Sequence, residues 1–280
     1  MNIQWYPGHM TKTKRLIKEN LNLVDIVIEI LDSRVPNSSR NPDVDEMIGN
    51  KPRLMVLNKS DLSDPIINKQ WEEYFGKKNI DNIFINSITG KGIDKTIKSL
   101  ELIMKEKMDR LAKRGRKHKP IRCMIIGIPN VGKSTFINKI AGKSSAKTGN
   151  KPGVTKGKQW IRLNEKVELL DTPGILWPKF EDADVGLKLA WIGSIKDEIL
   201  DQEELAFQFL EFLKENYPEL LIKRYKLQTI KKETIDILKD ITINRGFIVK
   251  GGEPDYLRTS EMLLDEFRKS KIGKISLEKP

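Results

Sequence analysis

One eight-residue stretch limits the fold more than any other: Gly127-Ile-Pro-Asn-Val-Gly132-Lys133-Ser134. It fits G-x-x-x-x-G-K-[S/T] and lies between the apolar run IRCMIIG and the helical pattern GKSTFINKIAG. A strand that feeds a helix through such a turn directs main-chain N–H groups and the positive end of the helix dipole at one point. The glycines let the backbone close around phosphate oxygens. In this setting Lys133 reaches the β- and γ-phosphates of a nucleoside triphosphate, and Ser134 is a ligand for its Mg²⁺.

A second motif names the base. Asn58-Lys59-Ser60-Asp61 ends the apolar strand RLMVLNKSD. The Asp61 carboxylate can accept two hydrogen bonds, from N1–H and the exocyclic amine of guanine. Adenine has no such donor pair, and losing matched polar contacts supports strong discrimination. The Lys59 stem can cover the base face, and Asn58 can tie neighbouring loops together. Downstream, INSITGKG fits a loop backing the base, with Asn86 and Ser87 nearest to it.

Two further signals belong with the phosphates. Asp171-Thr-Pro-Gly174 ends the strand pattern VELL. There Asp171 can hold a Mg²⁺-bound water, and the Gly174 amide can donate to a γ-phosphate, so the following loop can sense hydrolysis. Thr155, in KPGVTKG, is a candidate second Mg²⁺ ligand. Asp-Thr-Pro-Gly alone would be an ordinary turn, and a lone Asn-Lys-x-Asp is weak. Together the four motifs specify a guanine-nucleotide site. Their order is unusual, because the base reader precedes the phosphate loop. Domain termini usually lie close together at the surface, so a chain can be joined there and reopened elsewhere. The motifs therefore read as one nucleotide fold in permuted order, with the basic stretch KRGRKHKP as the joining connector.

Along the chain, PGHMTKTKRLIKENLNLV reads as a turn and a basic amphipathic helix, and DIVIEILDSRV as a buried strand. SDPIINKQWEEYFGKK and IDKTIKSLELIMKEKMDRLAKR read as helices from their apolar spacing. KSSAKTGNKPGVTKGK reads as a polar loop, and QWIRLN with VELL as a hairpin. Short apolar runs alternating with helices imply a parallel sheet covered on both faces. From about Gly186 the pattern is helical. The expected architecture is thus α/β, a phosphate-loop GTPase fold in circularly permuted order over residues 1–178, followed by an all-helical domain over 179–280.

The chain has 280 residues and a net charge of +12. No apolar run approaches the length of about eighteen residues that marks a membrane span, and the N-terminus lacks a secretory pattern. The single cysteine, Cys123, lies in an apolar run and cannot form an internal disulfide. A cytoplasmic protein is expected. The basic residues cluster in MTKTKRLIK, KRGRKHKP, IKRYKLQTIKK and the tail RKSKIGKISLEKP, which favours an RNA partner bound with steep salt dependence. Trp5, Tyr6 and Tyr225 are candidate base-stacking residues. A membrane partner and DNA are not expected, and a monomer is.

The permuted motif order and the opening WYPGHMTK give the whole chain a resemblance to the circularly permuted GTPases, and in particular to the ribosome biogenesis GTPase A family. The resemblance implies GTP hydrolysis to GDP coupled to late assembly of the large (50S) ribosomal subunit. It implies pre-ribosomal particles and ribosomal RNA as partners. It carries Asn58, Lys59, Ser60 and Asp61 over as guanine contacts and Asn86 and Ser87 as the backing loop. It carries Asn130, Val131, Gly132, Lys133, Ser134, Thr135 and Gly174 over as phosphate contacts.

Ras-like proteins place a water-orienting glutamine after the D-x-x-G motif, but here Ile175 follows Gly174. Two devices can complete the site. Asn130 matches the asparagine of potassium-activated GTPases, so a K⁺ ion near the β–γ bridge is expected. His9, in YPGHM, can move a proton near neutral pH, and the resemblance suggests that it swings into the site on the ribosomal particle. His118 reads as part of the basic connector. Two other classes compete: a nucleotide-regulated RNA-binding scaffold with incidental hydrolysis, and an enzyme that modifies RNA. Intact Lys133, Ser134 and Asp171 argue against the first. The lack of a second catalytic constellation in the sequence argues against the second.

Overall fold

The computed structural model describes residues 9–114, 119–142, 160–170 and 182–280, with side chains from residue 15 onward. The described residues form two compact units. One comprises the described residues up to 170 together with Glu278–Pro280, and the other comprises residues 182–277.

The first unit is built on a six-stranded sheet in the order β3-β2-β1-β4-β6-β5. The strands are β1 (Ile26–Asp32), β2 (Arg53–Asn58), β3 (Asn82–Phe84), β4 (Ile121–Ile126), β5 (Trp160–Arg162) and β6 (Val167–Leu170). All neighbours are parallel except β5 and β6, which pair antiparallel at one edge. Every residue of β1 is buried, because β2 and β4 flank it on both sides. A parallel strand covered on both faces needs a nearly continuous apolar sequence, and Ile-Val-Ile-Glu-Ile-Leu supplies one with a single charge, Glu29. The permuted order is visible in the pairing: β4, which leads into Gly127, lies against β1 at Ile28↔Ile125. On the other side Asp32 is in register with Asn58. The C-terminal ends of β1, β2 and β4 therefore lie side by side.

The helices of this unit are α1 (His9–Leu21), α2 (Asp43–Ile48), α3 (Pro65–Lys77), α4 (Ile93–Lys113) and α5 (Lys133–Ala141). α3 starts where Asp64 accepts from the Ile66 amide and Pro65 occupies the first turn, positions that leave orphan N–H groups to be satisfied. Its buried face, Ile67, Trp71 and Phe75, packs on Leu31, Met55 and Leu57. The Trp71 and Phe75 rings stack at 5.3 Å between centroids. Burying each such side chain stabilises by roughly 1.5–3 kcal/mol. α2 carries no readable period, since six residues are under two turns. It is held by burial of Val44 and Ile48. Glu278 belongs to this unit. Its carboxylate accepts from the amides of Asn37 at 2.8 Å and Ser38 at 3.0 Å.

The second unit contains α6 (Ala183–Trp191), α7 (Gln202–Asn216), α8 (Pro218–Tyr225), α9 (Thr234–Asn244) and α10 (Tyr256–Arg268). Asp201 caps α7 by accepting from Glu203 and Glu204, and Asp255 caps α10 through Arg258. The core is aromatic: Phe209 lies 4.5 Å from Phe267 and 5.3 Å from Trp191, centroid to centroid. Tyr225, expected to be a stacking surface for bases, belongs to this core. It is 2% exposed, its hydroxyl donates to Glu266 at 3.0 Å, and Arg245 lies over its ring. The reason is helical spacing. Leu221 and Tyr225, four residues apart, share the buried face of α8, while Lys223 and Lys226 are exposed. Among the described residues no helix is long and apolar enough to cross a membrane.

Candidate functional site

The loops that leave β1, β2, β3 and β4 at their C-terminal ends meet in one place. In an open α/β sheet this is where ligands bind.

The loop after β4 is a tight cradle. A Cβ on Gly127 would lie 2.5 Å from the main-chain oxygen of Ile30, and one on Gly132 would lie 2.4 Å from Asn58 Nδ2. Gly132 has φ +97° and precedes the first turn of α5. Lys133 is buried and its ammonium donates to the Ile128 carbonyl at 2.7 Å, across the loop. Ser134 and Thr135 are exposed on the same first turn. Asn130 is exposed and takes φ +61°.

Asn58 ties this cradle to two other loops. Its Nδ2 donates to the Val131 carbonyl at 2.8 Å. Its Oδ1 accepts from the Ser87 amide at 3.1 Å and the Ser87 hydroxyl at 2.8 Å. Lys59, with φ +60°, sends its ammonium to the Asn130 carbonyl at 2.7 Å. The Ser60 amide donates to the Ile85 carbonyl at 3.0 Å. Asp61 is exposed at the end of the loop. Asn86 is buried, and its side chain accepts from the amides of Ile88 and Thr89, fixing the turn that follows β3. The structure thus brings Asn58, Lys59, Ser60, Ser87, Asn130 and Val131 together through direct bonds between loops, with Gly132 packed against Asn58.

Asp32 and Arg34 join this cluster although neither belongs to a nucleotide-binding motif. Both are almost fully buried. Asp32 Oδ1 accepts from the Arg34 amide at 3.1 Å and Nε at 2.9 Å. Its Oδ2 accepts from Arg34 Nη2 at 2.7 Å and lies 3.0 Å from Lys59 Nζ. Burial alone would raise the Asp32 carboxyl, but Arg34 and Lys59 outweigh it and hold the group well below the usual carboxylate range. Burial pulls the Lys59 ammonium below its ordinary value, partly offset by Asp32. The available signal was an acid and a base, Asp32 and Arg34, closing an otherwise apolar strand.

His9 is the first residue of α1, and its side chain lies outside the described part of the structure. Thr155, Asp171, Gly174, Ile175, His118, Trp5 and Tyr6 lie outside the described residues altogether.

Residues 122–245 match the family model described as "50S ribosome-binding GTPase". The whole chain is 48% identical to a Bacillus pumilus protein named "Ribosome biogenesis GTPase A", covering 99% of that protein. It is 34% identical over 99% of its length to the protein of the same name from Thermotoga maritima, covering 95% of that relative. Among solved structures, GNP-bound YlqF from T. maritima is 30% identical. It matches with a TM-score of 0.67 over 96% of this chain and 98% of that one.

Proposed function

The chain belongs to the ribosome biogenesis GTPase A family, and on that premise we propose that this GTPase binds precursors of the large (50S) ribosomal subunit and assists their late assembly. The particle stimulates hydrolysis, and hydrolysis releases the protein. Relatives named for ribosome biogenesis support the partner, and the bonding of the base-reading loop to the phosphate loop, Asn58 to Val131 and Lys59 to Asn130, supports a switch that couples base and phosphates. Through these bonds a change at the phosphates reaches the base reader.

In this reading Asp61 selects guanine, with Asn58, Lys59 and Ser60 shaping its loop and Asn86 and Ser87 backing the base. The amides from Asn130 to Thr135 and Gly174, with Lys133, take the phosphates. The cradle supports the assignment, since at Gly127 and Gly132 a Cβ would fill space the backbone needs. Ser134, exposed on the first turn of α5, offers the hard oxygen that Mg²⁺ prefers. Thr155 and, through water, Asp171 complete the set. Bound there, Mg²⁺ neutralises charge on the phosphates. Asn130 is the protein ligand for K⁺. Ile175 cannot orient water, so the particle completes the site and His9 assists proton movement.

The domains divide at 178/179. The basic clusters of the helical domain (179–280), IKRYKLQTIKK and RKSKIGKISLEKP, and those of the GTPase domain contact ribosomal RNA. The protein acts as a cytoplasmic monomer.

The test is GTP hydrolysis by the purified protein in K⁺ and in Na⁺ buffer, with large or small ribosomal subunits, beside His9→Ala. Stimulation by large subunits alone, greater in K⁺ and lost in the variant, is expected. Stimulation that survives His9→Ala removes the histidine but keeps the partner. No stimulation by either subunit overturns the assembly reading in favour of an RNA-binding scaffold.

A further inference from the structure

We propose that Asp32 and Arg34 are positioning residues for the base reader: they hold the Lys59 ammonium in place and so set how long guanine nucleotide stays bound. The inference rests on the reading of residues 58–61 as the guanine-binding loop.

A single carboxylate, Asp32, serves two cations at the ends of β1 and β2. It is 0% exposed and Arg34 is 1% exposed. Burying such a pair costs several kcal/mol per ion in desolvation, often more than the Coulomb attraction returns. An apolar pair would close the ends of two buried strands at lower cost, so stability is a poor explanation for charges here. Geometry explains them better. The Arg34 fork engages both carboxylate oxygens and its own amide engages one of them. A planar guanidinium in a two-point contact fixes the carboxylate plane, which a flexible ammonium could not do. That leaves Oδ2 aimed at Lys59 Nζ, 3.0 Å away.

Lys59 needs this help. Its φ of +60° is uncommon for a residue with a Cβ, and such backbone persists only where the surroundings over-determine it. Its ammonium is held from two directions, by Asp32 and by the Asn130 carbonyl. The side chain so held belongs to the residue from which the turn to Asp61 continues. If Asp32 loses its charge, Lys59 keeps one anchor, and Arg34 faces it without the shared anion. The base reader then loosens while the phosphate cradle, built on β4 and α5, keeps its shape.

The test is the release rate of a fluorescent GDP analogue from the full chain, measured for Asp32→Asn, Lys59→Met and the double variant. Asp32→Asn is expected to speed release about tenfold, and by less than about twofold in the Lys59→Met background, because coupled residues are non-additive. Arg34→Lys keeps the charge and loses the fork. It is expected to follow the same pattern and carries the same cycle should Asp32→Asn fail to fold. An effect of equal size with and without Lys59 overturns the proposal, since it marks a general structural role. Fast release by Lys59→Met beside wild-type release by Asp32→Asn overturns this inference alone. Wild-type release by Lys59→Met overturns the assignment of the loop as well.

Discussion

The Asn58 carboxamide donates to the Val131 carbonyl at 2.8 Å, joining residues 73 positions apart in the chain. The same side chain accepts twice from Ser87, so three loops depend on one buried amide. Asn58→Ala is expected to strand a carbonyl, an amide and a hydroxyl, costing about 1–3 kcal/mol. Asn58→Asp keeps the acceptor for Ser87 but turns a carboxylate toward the Val131 oxygen, so it is expected to cost at least as much. Urea denaturation without nucleotide reads both. A wild-type midpoint for either variant would contradict the interlock.

Gly127 and Gly76 form a matched pair for the cradle. A Cβ at Gly127 meets the Ile30 carbonyl at 2.5 Å, between two buried strands, whereas at Gly76 in α3 it meets nothing within 4 Å. Gly127→Ala is expected to destabilise by about 1–3 kcal/mol, the cost of overpacking, and to weaken nucleotide binding. Gly76→Ala is expected to stabilise by about 0.4–1 kcal/mol through the unfolded chain. Thermal melts of the two variants should move in opposite directions.

The parallel sheet, the permuted order of the motifs and the phosphate loop were legible because each rests on local pattern. A strand buried on both faces must be apolar, and Gly127 and Gly132 stand at fixed spacing from Lys133. Asn58-Lys-Ser-Asp was legible for the same reason. Asp32 and Arg34 were not, since a charged residue at a strand end ordinarily signals solvent. Their burial and the bonds of Arg34 and Lys59 to Asp32 show otherwise. Tyr225 departs from the expected base-stacking role for a related reason. Its sequence neighbours are basic, but four-residue spacing with Leu221 governs which way it points. The helix Asp43–Ile48 is too short for any period to show.

Glu266 gives the helical unit an acid-sensitive clasp. It is buried and accepts from Arg224 Nε at 2.9 Å, Tyr225 at 3.0 Å and Arg245 at 3.3 Å. Burial would raise its carboxyl, but these donors outweigh burial and hold it below its ordinary value. A carboxyl lowered on folding adds stability that is present above its unfolded value of about 4.3 and is lost as pH falls below it. Glu266→Gln is therefore expected to cost about 1.5–3 kcal/mol at pH 7. The gap to wild type should narrow as the buffer is made acidic. Urea midpoints at neutral and acid pH check it, and a gap independent of pH would refute it.

Cys123 is 0% exposed in β4, and burial pushes its thiol far up from the ordinary value. Thiolate is the reactive form. The native protein is expected to resist a thiol-specific reagent and to react with one equivalent once unfolded. Labelling at the same rate in both states would place Cys123 outside the sheet core.

The pairing of β1 with β4 also sets an order of events at birth. A chain is made from its N-terminus, so β1, β2 and β3 exist before β4 does. Through that interval β1 has one neighbour and presents an unpaired, mostly apolar edge, the kind of edge that recruits strands from other chains. The long helix α4 and the connector must also be completed before the edge can close. Until Val131 has been synthesised, Asn58 has no distant carbonyl to bond. The newborn chain thus completes its base-reading half first and exposes that half's seam until its own later residues arrive to seal it.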